Sequence, residues 1–149
     1  MRAAFSIAEL LIVAAIIGIL AALVVPQVQN HATTAKAAAA KDNLHLLRSA
    51  IDLYAARHGD VPPGYKDNDS GKQPKEGDFL DQTVGHDSYI RKMPVNPFNN
   101  LDSIHMINNG QPFPPKATGD YGWIYQPGTM TIRLDWPGTD SQGVRYFEY

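Results

Sequence analysis

The feature that most constrains this chain is a long apolar segment near its N-terminus. Residues 5–25 carry one charged side chain, Glu9, and consist mainly of Leu, Ile, Ala and Val. About 20 apolar residues are enough to span a bilayer as a helix. The rest of the chain is polar and rich in Gly and Pro. The sequence therefore predicts an apolar anchor over residues 5–25 followed by a water-soluble part.

The charges before this segment predict its orientation. Arg2 and the terminal amine precede the apolar run. Positive charge next to a membrane segment tends to stay on the cytoplasmic side. We therefore expect a single membrane pass with the C-terminal part exported.

A second helical pattern follows the apolar run without a break. Residues 27–57 contain no Gly or Pro, and apolar side chains recur at spacings of three and four, as on one face of an amphipathic helix. That face consists of Leu44, Leu47, Ile51 and Tyr54. Gly59 then provides a stop signal. We predict one helix over residues 5–58, loosened near Gly18 and Pro26, whose second half, residues 26–58, packs on a head.

The head, residues 59–149, reads as an irregular connection followed by strands. Residues 62–100 are rich in Gly, Pro and Asn, with a short helical turn expected within 80–91. Residues 122–126 and 129–136 are rich in aromatic and β-branched residues and flank a Pro-Gly pair, which predicts an antiparallel hairpin. Residues 102–107 are a weaker strand candidate, and residues 144–149 are expected to return along the sheet. The predicted fold class is α+β, with a small antiparallel sheet packed on a long helix.

Composition and motifs argue against several function classes. The net charge of −2 gives no electrostatic reason to bind nucleic acid. The chain has no cysteine, so it has neither a disulfide nor a thiolate nucleophile. The five histidines are scattered without metal-ligand spacing, and no nucleophile elbow or phosphate-binding Gly loop is present. The sequence gives no reason to expect an enzyme.

The segment from Phe5 to Ala22, followed by Pro26, resembles the class III signal of the type IV pilin superfamily. The resemblance implies that a prepilin peptidase cuts between Ala4 and Phe5, removes the leader 1–4 and methylates the new amine. Ala4 stands where that family nearly always has Gly. Glu9 then becomes the fifth residue of the mature chain.

An assembly role for Glu9, Gly18 and Pro26 follows from the resemblance and from physical chemistry. A carboxylate at the edge of a hydrocarbon layer needs a partner, and the amine of Phe5 on an adjacent subunit would supply one. Gly18 and Pro26 match the residues at which such helices loosen in filaments. Two other interpretations remain open: an ordinary secretory signal cleaved near residues 21–22, or a plain anchor helix.

Shorter motifs resemble the G-type major pseudopilin group of type II secretion. They are Tyr54 to Pro62, Met93 to Phe98 with Asn96 in place of an acid, Gly122 to Tyr125, and Pro137 to Gly143. That group binds calcium in its C-terminal loop, and calcium prefers six to eight oxygen ligands. The resemblance therefore implies a possible Ca²⁺ site at Asp135, Asp140 and the Ser141 carbonyl. A solvated turn without a metal is the alternative.

The expected function is that of a structural subunit of a type IV pilus-like filament. The resemblance implies a homopolymer of inner-membrane subunits with periplasmic heads, and it implies a prepilin peptidase and an inner-membrane assembly platform as partners. A type II secretion pseudopilus is the first hypothesis. The alternatives are the major subunit of a surface pilus, for adhesion, motility or DNA uptake, and a monomeric membrane-tethered binding module.

Overall fold

The computed structural model describes residues 6–149, except for the side chains of residues 22–30. The predicted cleavage site, Ala4 and Phe5, lies outside the described residues. The chain divides into two compact units, Met1–Ala35 and Lys36–Tyr149. From here on we call the second unit the head, which adds residues 36–58 of the helix to the head predicted over residues 59–149.

Helix α1 spans Ile7–Arg57, which confirms the predicted long helix over its described part. Its C-terminal end is closed by the backbone: the amides of His58 and Asp60 both donate to the Ala55 carbonyl, at 3.0 and 2.9 Å. Gly59 lies between them with a φ of +65°. A glycine adopts this left-handed conformation without the steric cost of a side chain, so the predicted stop signal is confirmed.

The predicted amphipathic stripe of α1 forms the helical side of the head core. Its buried members recur at spacings of three and four, as expected for one helix face. They are Ala37, Ala40, Leu44, Leu47, Ala50, Ile51, Tyr54 and Ala55. On another face of the helix, Arg48 donates to the Ile132 carbonyl at 3.3 Å, which ties α1 to the third strand.

Helix α2, Glu76–Thr83, lies in the segment predicted to be irregular. The helical turn expected within residues 80–91 was therefore placed too late along the chain. Phe79 is fully buried and packs edge-on against Tyr125, with ring centroids 5.2 Å apart. Burying this aromatic ring stabilises a short helix that has low intrinsic propensity because of Gly77.

The sheet contains three strands in sequential order: β1, Ile104–Met106; β2, Trp123–Gln126; and β3, Thr131–Leu134. Strands β2 and β3 pair antiparallel around a 3₁₀ turn at Pro127–Thr129, which confirms the hairpin. Strand β1 pairs parallel to β2, with Ile104 opposite Trp123. The prediction of an all-antiparallel sheet is therefore wrong for the direction of β1. The connection 107–122 is long enough for the crossover that a parallel pair requires.

The C-terminal segment was predicted to return along the sheet, and this prediction is wrong. It forms a 3₁₀ turn, Tyr146–Glu148, that lies against β3. Tyr146 and Phe147 are consecutive and both buried. Tyr146 packs in the main cluster with Trp123 and Tyr125, whereas Phe147 packs in a second cluster with Ile107 and Ile124.

Candidate functional site

The first turn of α1 is closed by a reciprocal pair of hydrogen bonds. The Ser6 amide donates to Glu9 Oε2 at 2.8 Å, and the Glu9 amide donates to Ser6 Oγ at 3.2 Å. This arrangement is a capping box, in which two backbone donors that lack helical partners are satisfied. The Ser-x-x-Glu spacing at residues 6–9 is a sequence signature of this motif. Glu9 thus has a structural role in the single subunit in addition to its predicted role in assembly.

The helix beyond this cap presents large apolar side chains to its surroundings. Nine of them are exposed by between 49% and 83%: Ile7, Leu10, Leu11, Ile12, Val13, Ile16, Ile17, Ile19 and Leu20. Exposed apolar surface of this extent marks an interaction site. Within the part of the chain that the structure describes, no helix combines the length and apolarity needed to cross a membrane.

The other predicted assembly residues are only partly described. The helical conformation of α1 continues through both Gly18 and Pro26. A Cβ atom added at Gly18 would have no described neighbour within 4 Å outside its own helix backbone. Packing against the described residues therefore does not require glycine there.

Asp135, the first predicted calcium ligand, is fully buried at the end of β3. Its Oδ1 accepts the amides of Thr118 and Gly119 at 2.6 and 3.1 Å. Its Oδ2 accepts the Thr118 hydroxyl at 2.9 Å and the Tyr121 amide at 3.0 Å. An ionised carboxylate offers about four lone-pair sites, so these four donors use its full capacity.

Asp140, the second predicted ligand, organises a different turn. Its Oδ1 accepts the amides of Gln142 and Val144 at 2.9 and 3.0 Å, and its Oδ2 accepts the Tyr149 hydroxyl at 2.7 Å. The hydrogen bond from Tyr149 lowers the pKa of Asp140. Ser141, the third predicted ligand, is exposed.

These residues do not fit a calcium site. Calcium needs several oxygen atoms that converge on one point with free lone pairs. Here the oxygens of Asp135 and Asp140 instead accept hydrogen bonds from seven N–H and O–H groups. Among the described residues, no three His, Cys, Asp or Glu side chains are grouped so that they could hold a metal ion.

Asn96 has a structural role that the sequence resemblance did not show. It is fully buried, its Oδ1 accepts the Phe98 amide at 2.9 Å and its Nδ2 donates to the Gly122 carbonyl at 3.1 Å. An amide can accept and donate at once, whereas an ionised carboxylate can only accept. The asparagine that replaces the acid of the G-type motif therefore matches its surroundings.

Comparison with known proteins gives two relatives. The chain is 31% identical over 99 residues to the type II secretion system core protein G of Pseudomonas aeruginosa, a match covering 66% of this chain and 70% of that protein. It is 27% identical over 107 residues to the protein of the same name from Escherichia coli K12, covering 72% of each. No protein-family model matches the chain. No solved structure matches it at a significant level.

Proposed function

Because this chain belongs to the family of the type II secretion system core protein G, the major pseudopilin, we propose that it polymerises through α1 into a periplasmic filament. Its part in secretion is that of a structural subunit. The filament would act by assembly, pushing exported proteins through an outer-membrane channel, without a catalytic step in the subunit.

The exposed apolar surface around the N-terminal part of α1 is the single observation that carries this proposal. A soluble monomer would leave nine large aliphatic side chains in water, which is unfavourable. Fully burying one such side chain contributes about 1.5–3 kcal/mol. Packing of the same helix from many subunits into a filament core removes this surface from water.

We further propose that the subunit waits in the inner membrane before it assembles. The apolar segment 5–25 would serve as a single-pass anchor, with the head in the periplasm. A prepilin peptidase would cut between Ala4 and Phe5, and an inner-membrane platform would transfer the mature subunit into the filament. The names of both relatives favour secretion over a surface pilus.

In the proposed filament, Glu9 pairs with the amine of Phe5 on an adjacent subunit. The capping box is compatible with this second role, because Glu9 Oε2 accepts the Ser6 amide while a carboxylate has capacity for further donors. Gly18 and Pro26 would let the helix between them loosen on entry into the filament, since one lacks a side chain and the other lacks a backbone donor.

The test separates helix capping from charge pairing at Glu9. Glu9→Ala removes the carboxylate from both functions. Ser6→Ala removes the hydroxyl half of the cap and leaves the backbone amide of residue 6 free to donate to Glu9. Glu9→Gln keeps the cap because Gln also serves in a capping box. Each variant is expressed with the secretion machinery, its membrane fraction is quantified, and sheared filaments are imaged.

We expect no filaments from Glu9→Ala, reduced numbers from Glu9→Gln and near-normal numbers from Ser6→Ala, with all three variants inserted in the membrane. Normal filaments from Glu9→Ala would refute the pairing mechanism. If Glu9→Gln matched wild type while Ser6→Ala failed, capping alone would explain the requirement. Mass spectrometry of the mature N-terminus tests processing, and a start near Ala22 would contradict cleavage after Ala4.

A further inference from the structure

The C-terminal loop contains two carboxylates that the family resemblance would assign to calcium, and the structure gives both of them another use. We infer that hydrogen bonds within the chain close the loop 135–141, and that the head folds and keeps this loop ordered without calcium. The inference concerns the head alone and does not depend on filament formation.

The side chain of Asp135 is saturated with hydrogen bonds. All four of its contacts come from the turn 118–121: three from backbone amides and one from the Thr118 hydroxyl, at 2.6–3.1 Å. Hydrogen bonds to an ionised acceptor are roughly twice as strong as neutral ones. A calcium ion at Asp135 would have to displace amide donors, which would then be left without partners beside a cation.

The segment that supplies these donors also lies against the main chain at the end of β3. The Asp135 amide donates to the Gly122 carbonyl at 3.2 Å, so the main chain of β3 is fixed next to the same segment that binds its side chain. Asp135 therefore acts as a buried anchor for the segment that leads into β2.

The second carboxylate, Asp140, closes its own part of the loop. Asp140 gathers the amides of Gln142 and Val144, and the Asp140 amide itself donates to the Val144 carbonyl at 2.9 Å. The Tyr149 hydroxyl completes this set. The loop thus has a specific conformation that is held by groups of the chain itself.

The experiment measures thermal unfolding of the full-length chain in detergent, with calcium at about 5 mM or with excess chelator. This concentration exceeds the dissociation constants of about 0.1–1 mM that are typical of extracellular calcium modules. A bound ligand raises the melting temperature in a saturable manner. We expect equal melting temperatures in both conditions, and a saturable rise of several degrees with calcium would overturn the inference.

Two variants at the Asp135 anchor extend the test. Thr118→Val removes the hydroxyl donor and keeps the shape of the side chain, and Asp135→Asn replaces one acceptor by a donor. We expect both to lower the melting temperature, equally with calcium and with chelator. If Asp135→Asn does not fold, Thr118→Val still decides the question. A Thr118→Val protein as stable as wild type would show that the hydrogen bonds do not hold the loop.

Discussion

Gly122 allows the sharpest prediction about the stability of the head. A Cβ atom at this position would lie 2.3 Å from the Leu101 carbonyl oxygen and 2.9 Å from the carbon of the same group. These are backbone atoms, so no side chain can rotate away to make room. The Gly122 amide also donates to the Ser103 carbonyl at 3.0 Å. In Gly122→Ala, the main chain around residues 101–103 must move and stretch this hydrogen bond.

The magnitude follows from these contacts. Inserting an extra methyl group into a packed region costs about 1–3 kcal/mol, and losing one hydrogen bond adds about 0.5–1.5 kcal/mol. We expect Gly122→Ala to lower the free energy of unfolding by about 3 kcal/mol. For a domain of this size, that corresponds to a fall in melting temperature of roughly 10 °C or more.

Gly77→Ala is the matched control. Gly77 is an exposed residue of α2, and an added Cβ would have open space around it. Alanine is favoured over glycine in a helix by up to about 1 kcal/mol, so this variant should be slightly stabilised. Thermal unfolding is followed by the fluorescence of the buried Trp123, next to the mutated glycine. If the Gly122 and Gly77 variants had equal melting temperatures, the argument from the close approach to Leu101 would be refuted.

Three further predictions concern the core and the loops of the head. Asn96→Asp should cost about 1–3 kcal/mol of unfolding free energy, measured by urea denaturation, because a buried donor is replaced by an acceptor facing a carbonyl. Leu47→Ala, at a fully buried position, should cost about 2–5 kcal/mol, whereas Leu46→Ala, at a site 45% exposed, should change stability by less than about 0.5 kcal/mol in the same assay. Because the Tyr149 hydrogen bond lowers the pKa of Asp140 in the folded state, its contribution is complete above about pH 4 and is lost at lower pH. Tyr149→Phe should therefore reduce the melting temperature at pH 6, and this difference should shrink as the pH falls towards 3.

Local patterns in the sequence predicted the elements whose stability is itself local. The stripe that includes Leu44 and Leu47, the stop at Gly59 and the hairpin around Pro127 are encoded in residues close together along the chain. Helix α2 was missed because Gly77 weakens its local signal, and its stability comes from the contact of Phe79 with a distant strand. The parallel direction of β1 was missed because a three-residue strand carries no local information about its partner.

In the candidate site, too, local features could be predicted from the sequence and long-range contacts could not. The capping box between Ser6 and Glu9 is local, and its spacing could have been recognised in the sequence. The role of Asp135 could not have been, because its donors come from residues 118–121, a segment beyond two strands of the sheet. An acidic residue in a turn-rich sequence suggests a metal ligand until the positions of the neighbouring amides are known.

Hydrogen bonds at the two edges of the small sheet bear on how neighbouring heads would interact in a filament. On β1, the Ile104 amide donates to Glu76 Oε1 at 2.7 Å, and on β3 the Ile132 carbonyl accepts a hydrogen bond from Arg48. Open strand edges invite pairing between molecules, and occupied edges resist it. In the proposed filament, many heads would be held side by side at very high local concentration. Each of these hydrogen bonds takes up one outward-facing backbone group of an edge strand, which would make pairing between the edges of neighbouring heads less favourable.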